Sequence, residues 1–246
     1  PCFERFRAQT DLYAGVAAFV NTDVGIRLDG PIEQVDAIRA SGNYFQVLGV
    51  QPYAGRLFQP QDDRLDPPVA VISYDYWQRR FGGRPEAIGR TFRWDGVLDG
   101  RTFTIVGVTP PEFHGVAPGQ KEDLTLPIAL NGDMLKSTDS WWFNAIARLK
   151  PGVRPEAARV ATDRIFQAFM TEFPQPPDVR RRMFDHMELV PASRGLDSLR
   201  VQFSRPLWAL MAVVGLVLLI ACANITNLLL ARAAQRAREF ALRTAI

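Results

Sequence analysis

The sequence predicts an α+β domain, built from hairpins and split βαβ units, followed by one transmembrane α-helix. Short β-branched runs such as VAVIS (69–73) and FTIVGV (103–108) alternate with segments of helical periodicity, separated by Gly and Pro. Hairpins mixed with a strand–helix–strand segment point to an α+β domain. Near the C-terminal end, residues 207–230 read LWALMAVVGLVLLIACANITNLLL, 24 residues without a charge.

The elements follow in chain order. Residues 3–20 read as a helix running into a strand. Residues 35–41 read as a strand and 42–48 as a short helix. GVQPYAGRLFQPQDD (49–63) is a Pro/Gly-punctuated loop. Residues 69–73 form a short buried strand. A helix follows over 74–81, with Ser73 as its N-cap and Gly82-Gly83 as its stop. Residues 91–94 and 103–108 alternate and pair across the DGVLDG turn, and Thr109-Pro110-Pro111 ends that hairpin. The second half reads β-α-β. It has a strand over 143–149, a turn at Lys150-Pro151-Gly152, and a helix over 155–172 with Pro155 in its first turn. Ala158, Ala161, Ile165 and Phe169 give that helix one apolar face. PQPP (174–177) stops it, and 187–191 is the return strand.

The apolar run is long enough to cross a membrane. At 1.5 Å per residue it spans about 36 Å, against a hydrocarbon core of about 30 Å. It is apolar all round, unlike a surface helix. Arg205 and Pro206 close it on one side, Arg232, Arg236 and Arg238 on the other, and Trp208 sits where an interfacial aromatic belongs. A signal peptide is excluded by length and position. The division expected is a domain over 1–205, a span over 206–230, and the start of a further segment over 231–246. Pro1 in place of Met, and a chain that stops inside a periodic segment at Ile246, suggest that both ends are cut.

A net charge of +3 and a pI near 9.1 invite a nucleic-acid reading. The distribution removes it. Residues 1–230 hold 25 Lys+Arg and 25 Asp+Glu, whereas 231–246 hold four Arg and one acid. A basic excess at the edge of a membrane helix is a topology signal. Arg194, Arg200 and Arg205 precede the span against four Arg after it, so charge leans toward an outside N-terminal domain and leaves the orientation open. Cys2 and Cys222 make no disulfide framework.

Motifs for chemistry are absent. His114 and His186 have no partner at metal-ligand spacing, and no Gly-x-Ser-x-Gly elbow occurs. GVAPGQKED (115–123) lacks phosphate-loop spacing and reads as an exposed turn. Asp62, Asp63 and Asp66, beside three prolines, read as a solvated loop. Arg180, Arg181 and Arg182 read as a solvated face, with lipid headgroups as the alternative. These absences lead to the expectation of a non-enzyme without metal or cofactor. Within the span, Asn224, Thr226 and Asn227 are the polar residues. Asn224 and Asn227 share a face, which implies hydrogen bonding to neighbouring membrane helices.

Several stretches then converge. SGNYFQVLGVQPYAGRLF (41–58), VAVISYDYWQRRFGG (69–83), IGRTF and FTIVGVTPPEFHG (within 88–115), and NLLLARAAQRAREFALRTAI (227–246) resemble the MacB/FtsX superfamily of ABC-transporter permeases, in particular its duplicated orphan permease branch. The resemblance implies a MacB-like periplasmic core domain after an absent first helix, then the second transmembrane helix, opening an FtsX-like permease domain in the bacterial inner membrane. It settles the orientation, with the N-terminal domain periplasmic. It also implies a separate ABC ATPase partner and a dimer in the full assembly. The segment from Arg238 to Arg243 resembles the family's cytoplasmic stretch after that helix. Arg232, Arg236, Glu239 and Arg243 lie three, four or seven apart, on one side of a helix. The resemblance suggests that this side docks on the ATPase, with Glu239 matching the family's acid. Export, efflux or extraction of lipid-linked cargo is the implied role. The alternative is an FtsX-like regulator that activates a cell-wall hydrolase.

Overall fold

The computed structural model describes residues 2–64, 66–95, 100–117, 121–131, 143–172, 187, 189–192, 208, 210–227, 229 and 232. The chain divides into two units, Pro1–Gly195 and Leu196–Ile246.

The first unit begins with helix α1 (Cys2–Arg7) and the 15-residue strand β1 (Tyr13–Arg27). β2 (Glu33–Ala40), α2 (Tyr44–Leu48) and a two-residue strand β3 (Ala54–Gly55) follow. A 3-10 turn (Pro60–Arg64), β4 (Val69–Ile72) and α3 (Tyr74–Phe81) come next. Then come β5 (Thr91–Asp95), β6 (Thr102–Val108), β7 (Leu124–Pro127), β8 (Asn144–Leu149) and α4 (Pro155–Thr171).

Length is what lets β1 organise the domain. Its second half pairs with β2 on one edge and with β5 on the other, while its first half pairs with β8. β2 then pairs with β7, β7 with β4, β4 with β6, and β6 with β5. The pairings therefore close into a ring of six strands, β1-β2-β7-β4-β6-β5, with β8 appended beside the start of β1. Ring closure leaves fewer open strand edges. Inside it lie Ile26, Ile72, Trp94, Phe103, Ile105 and Leu124, each at most 6% exposed, and α3 adds Tyr76, Trp77 and Phe81. All four residues of β4 are buried, as a continuous β-branched run requires. A second core joins α1 and α4 to the first half of β1, through Phe3, Phe6, Tyr13, Val16, Phe166 and Phe169.

Local signals explain much of this. Ser73 Oγ accepts the Tyr76 amide at 3.1 Å, and Gly82 closes α3 in the left-handed conformation with its amide on the Gln78 carbonyl at 3.0 Å. The β5–β6 hairpin pairs Phe92 with Phe103, their rings stacked at 5.4 Å.

Several expectations are corrected. The loop over 49–63 contains β3 and the 3-10 turn. β1 continues to Arg27 because Val24 and Ile26 keep facing the core. β7 is a strand where no strand is expected. The buried face of α4 is Ala158, Thr162, Phe166, Phe169 and Met170, rotated from the expected set. Thr162 is tolerated there because its hydroxyl donates to the Ala158 carbonyl at 2.6 Å and also meets Tyr13 Oη. The expected return strand over 187–191 is not a strand at its described residues; the Met187 amide donates instead to the Asp163 carboxylate at 2.9 Å.

Within the second unit, Leu210–Asn227 is one continuous helix with mean hydropathy 2.1, long and apolar enough to cross a membrane.

Candidate functional site

Two places carry polar groups in unusual surroundings. One is the membrane helix. Thr226 Oγ1 donates to the Cys222 carbonyl at 2.8 Å, so its donor is used within its own helix. Asn224 and Asn227 expose their carboxamides three residues apart among Ile220, Ile225 and Leu229, all at least 55% exposed. Such groups gain most from a partner helix when the solvent is hydrocarbon. Arg232 is helical and exposed. Arg236, Glu239 and Arg243 lie outside the described residues, as do Arg180 to Arg182 and His186.

The other is a cleft between the first turn of α3 and the connection from β6 to β7. Residues 115–123 are expected as an exposed turn, yet Glu122 is 9% and Asp123 8% exposed. The cause is β7. The Asp123 amide donates to the Asp36 carbonyl at 2.9 Å, and the Ser73 amide donates to the Asp123 carbonyl at 3.0 Å. The start of β7 is thereby inserted between β2 and β4. The Asp123 carboxylate is met by Arg79 at 2.7 Å. Glu122 points inward, where Oε1 accepts the Val116 amide at 3.2 Å. Tyr44 Oη stands beside this carboxyl. Neither Tyr44 Oη nor Glu122 Oε2 has a hydrogen bond of normal geometry among the described residues. Burial pushes the Glu122 carboxyl up to about 7, against smaller opposing effects of the Val116 amide and Tyr44. Burial likewise pushes the Tyr44 phenol up.

Of the three aspartates expected in a solvated loop, Asp66 is exposed, whereas Asp62 and Asp63 are structural. Asp62 is 2% exposed and accepts both terminal nitrogens of Arg56, at 2.6 and 2.9 Å, and the Gln59 amide at 2.8 Å. Asp63 accepts the Gly42 amide at 3.0 Å, and burial raises its pKa. A Cβ on Gly42 would meet the Gln59 carbonyl at 2.5 Å, so the turn can only pack against glycine. Ser41 and Asn43, on either side, bond to β1 through the Ala18 amide and the Val16 carbonyl. The SGN stretch is thus a clasp that holds α2 on β1. Among the described residues, no three His, Cys, Asp or Glu side chains gather as a metal site.

The mixed strand ring with its helix-backed extension defines a periplasmic-type domain of the MacB class, and the same chain carries a helix long and apolar enough to cross a membrane. The chain belongs to the MacB-like periplasmic core domain family, whose pattern matches residues 3–165. Its fold is similar to the periplasmic region of MacB from Actinobacillus actinomycetemcomitans, with a TM-score of 0.54 and 14% identity over 76% of this chain and 83% of that one. A domain of a Porphyromonas gingivalis protein assigned as a permease gives a TM-score of 0.51 and 20% identity, over 66% and 71%. At those identities the likeness is one of fold. In sequence, 108 residues are 31% identical to the Pseudomonas syringae pv. tomato protein named "Probable syringafactin export ATP-binding/permease protein SyfD". That match covers 44% of this chain and 14% of the relative, so the chain spans about a seventh of its length. The protein is an inner-membrane protein with its N-terminal domain outside the cytoplasm.

Proposed function

We propose that this chain is part of a permease subunit that converts ATP hydrolysis by a separate ABC ATPase into movement of the periplasmic domain, for export or for extraction of lipid-linked cargo. The single observation that carries this reading is the family match over residues 3–165, followed in the same chain by the spanning helix. The relative's name, which joins export, ATP binding and permease, supports the same class of activity. In this reading the domain is a mechanical element and not an enzyme. β1 suits that role, because one strand hydrogen-bonds to both the six-strand ring and β8. A displacement at one end is carried by backbone bonds rather than by side-chain contacts.

Coupling falls to the segment after the span. Arg232, Arg236, Glu239 and Arg243 would dock on the ATPase, Glu239 pairing with a basic residue that fixes the docking register. Asn224 and Asn227 would face other helices of the same permease, and the working assembly would be a dimer in contact with membrane lipid. Glu239→Lys in the full-length protein tests the coupling. Expression and membrane insertion are expected to persist, while ATPase co-purification and stimulated ATP hydrolysis fall. Unchanged hydrolysis and assembly in a well-expressed variant would refute the coupling role and leave the segment as a topology anchor.

A further inference from the structure

We propose that Glu122 is a proton-operated latch: protonated, it holds the segment 110–117 against α2, and ionised, it releases it. The geometry carries the inference. Residue 115 is a glycine at φ 91°, and a Cβ there would meet the Glu122 carboxyl carbon at 2.3 Å. The backbone of the segment therefore lies directly on the carboxyl group. The next residue, Val116, donates its amide to Oε1. Beneath the carboxyl is Tyr44 of α2, fully buried. Two residues before the glycine, Phe113 packs edge-on against Phe45 of the same helix at 5.9 Å. One carboxyl and one ring thus fasten the segment to α2.

The latch is sensitive to charge because the compartment hydrates an ion poorly. Oε1 has one backbone donor and Oε2 has none of normal geometry among the described residues. A neutral carboxyl loses little there, whereas a carboxylate gains by reaching water. The other charged and titratable groups lining the same cleft are Tyr74, Asp75 and Arg79 from α3, His114 and Lys121 from the connection, and Asp123. Arg79 is taken by Asp123, and Tyr44 is the titratable side chain at the carboxyl itself. The direction of the pKa shift agrees with this picture.

Release has a route to the rest of the domain. α2 is bound to β8 through the Arg148 Nε donation to the Val47 carbonyl at 2.6 Å. A segment that clamps α2 in one protonation state and frees it in the other changes how firmly the ring is joined to β8.

Hydrogen exchange of the full-length protein in detergent tests the latch, read at residues 112–117 and corrected for intrinsic rates. With the carboxyl at about 7 when closed and at its ordinary 4.5 when open, opening is expected to increase roughly 30-fold between pH 5.5 and 8.5. Glu122→Gln keeps the shape without the charge and should hold exchange slow and flat across that range. Tyr44→Phe, which removes the group beside the carboxyl that lowers its pKa, should move the midpoint to higher pH while preserving the fold. A wild-type segment with no pH-dependent opening, or one whose pH response persists in Glu122→Gln or whose midpoint is unmoved by Tyr44→Phe, would overturn the proposal.

Discussion

Replacing Asp62 with alanine removes three hydrogen bonds from a carboxylate whose side chain is 1% exposed. The cost can be worked from the partners left behind. The Gln59 amide loses its acceptor in a closed turn, which costs about 1–3 kcal/mol. Arg56 keeps 42% of its side chain exposed and can turn to water, so its share lies near the surface range of about 0–1 kcal/mol. The sum is about 1–4 kcal/mol, centred below the ~3–5 kcal/mol for breaking a fully buried pair. Asp62→Asn retains an acceptor for the Gln59 amide and should lose only about 1 kcal/mol. The gap between the two variants measures the backbone bond. Urea unfolding of residues 1–204, followed by tryptophan fluorescence with m unchanged, reads both numbers. An Asp62→Ala variant within about 0.5 kcal/mol of wild type, the range of an ordinary surface change, would refute the reasoning and restore the solvated-loop reading.

The same fragment, 1–204, should be soluble and should bind no ATP by calorimetry, since its charges balance and no phosphate loop is present. Its stability should depend on pH through Glu122. The folded carboxyl binds its proton up to about 7 and the unfolded one only to 4.5, so stability is full below 4.5 and falls as pH rises through that window. The total loss is about 3 kcal/mol, checked by thermal unfolding from pH 4 to 8, and Glu122→Gln should flatten the slope. Asn224→Leu with Asn227→Leu should keep the span and lower the stability of the full protein in detergent by about 1 kcal/mol per lost bond. Unchanged detergent unfolding would place both carboxamides against water or headgroups.

Features set by neighbouring residues were legible in the sequence. The Ser73 cap, the Gly82 stop and the β5–β6 hairpin depend on contacts a few residues apart, and each stands where its residues put it. The apolar span is legible because composition alone decides it. Burial of carboxylates was not legible, since a partner decides it. Asp62 is drawn in by Arg56, and Glu122 lies beside Tyr44, far away in sequence. β7 is not legible in the sequence because four residues carry little periodicity and owe their place to β2 and β4 on either side. The face of α4 differs from its apolar pattern at Thr162, a polar residue whose burial depends on Tyr13 and on its own helix backbone. Ring closure follows from β1 having two pairing edges, a property of the assembled sheet that no single segment reveals.

Topology carries the account, and cysteine labelling reads it. Asp123 is unsuitable as a probe site because it is buried and paired with Arg79, whereas Glu86 is exposed in the first unit. In spheroplasts carrying Glu86→Cys or Gln235→Cys in the full-length protein, a membrane-impermeant maleimide should label position 86 at once. It should label position 235 only after the membrane is opened. Labelling of position 235 in intact spheroplasts, with position 86 protected, would contradict the account.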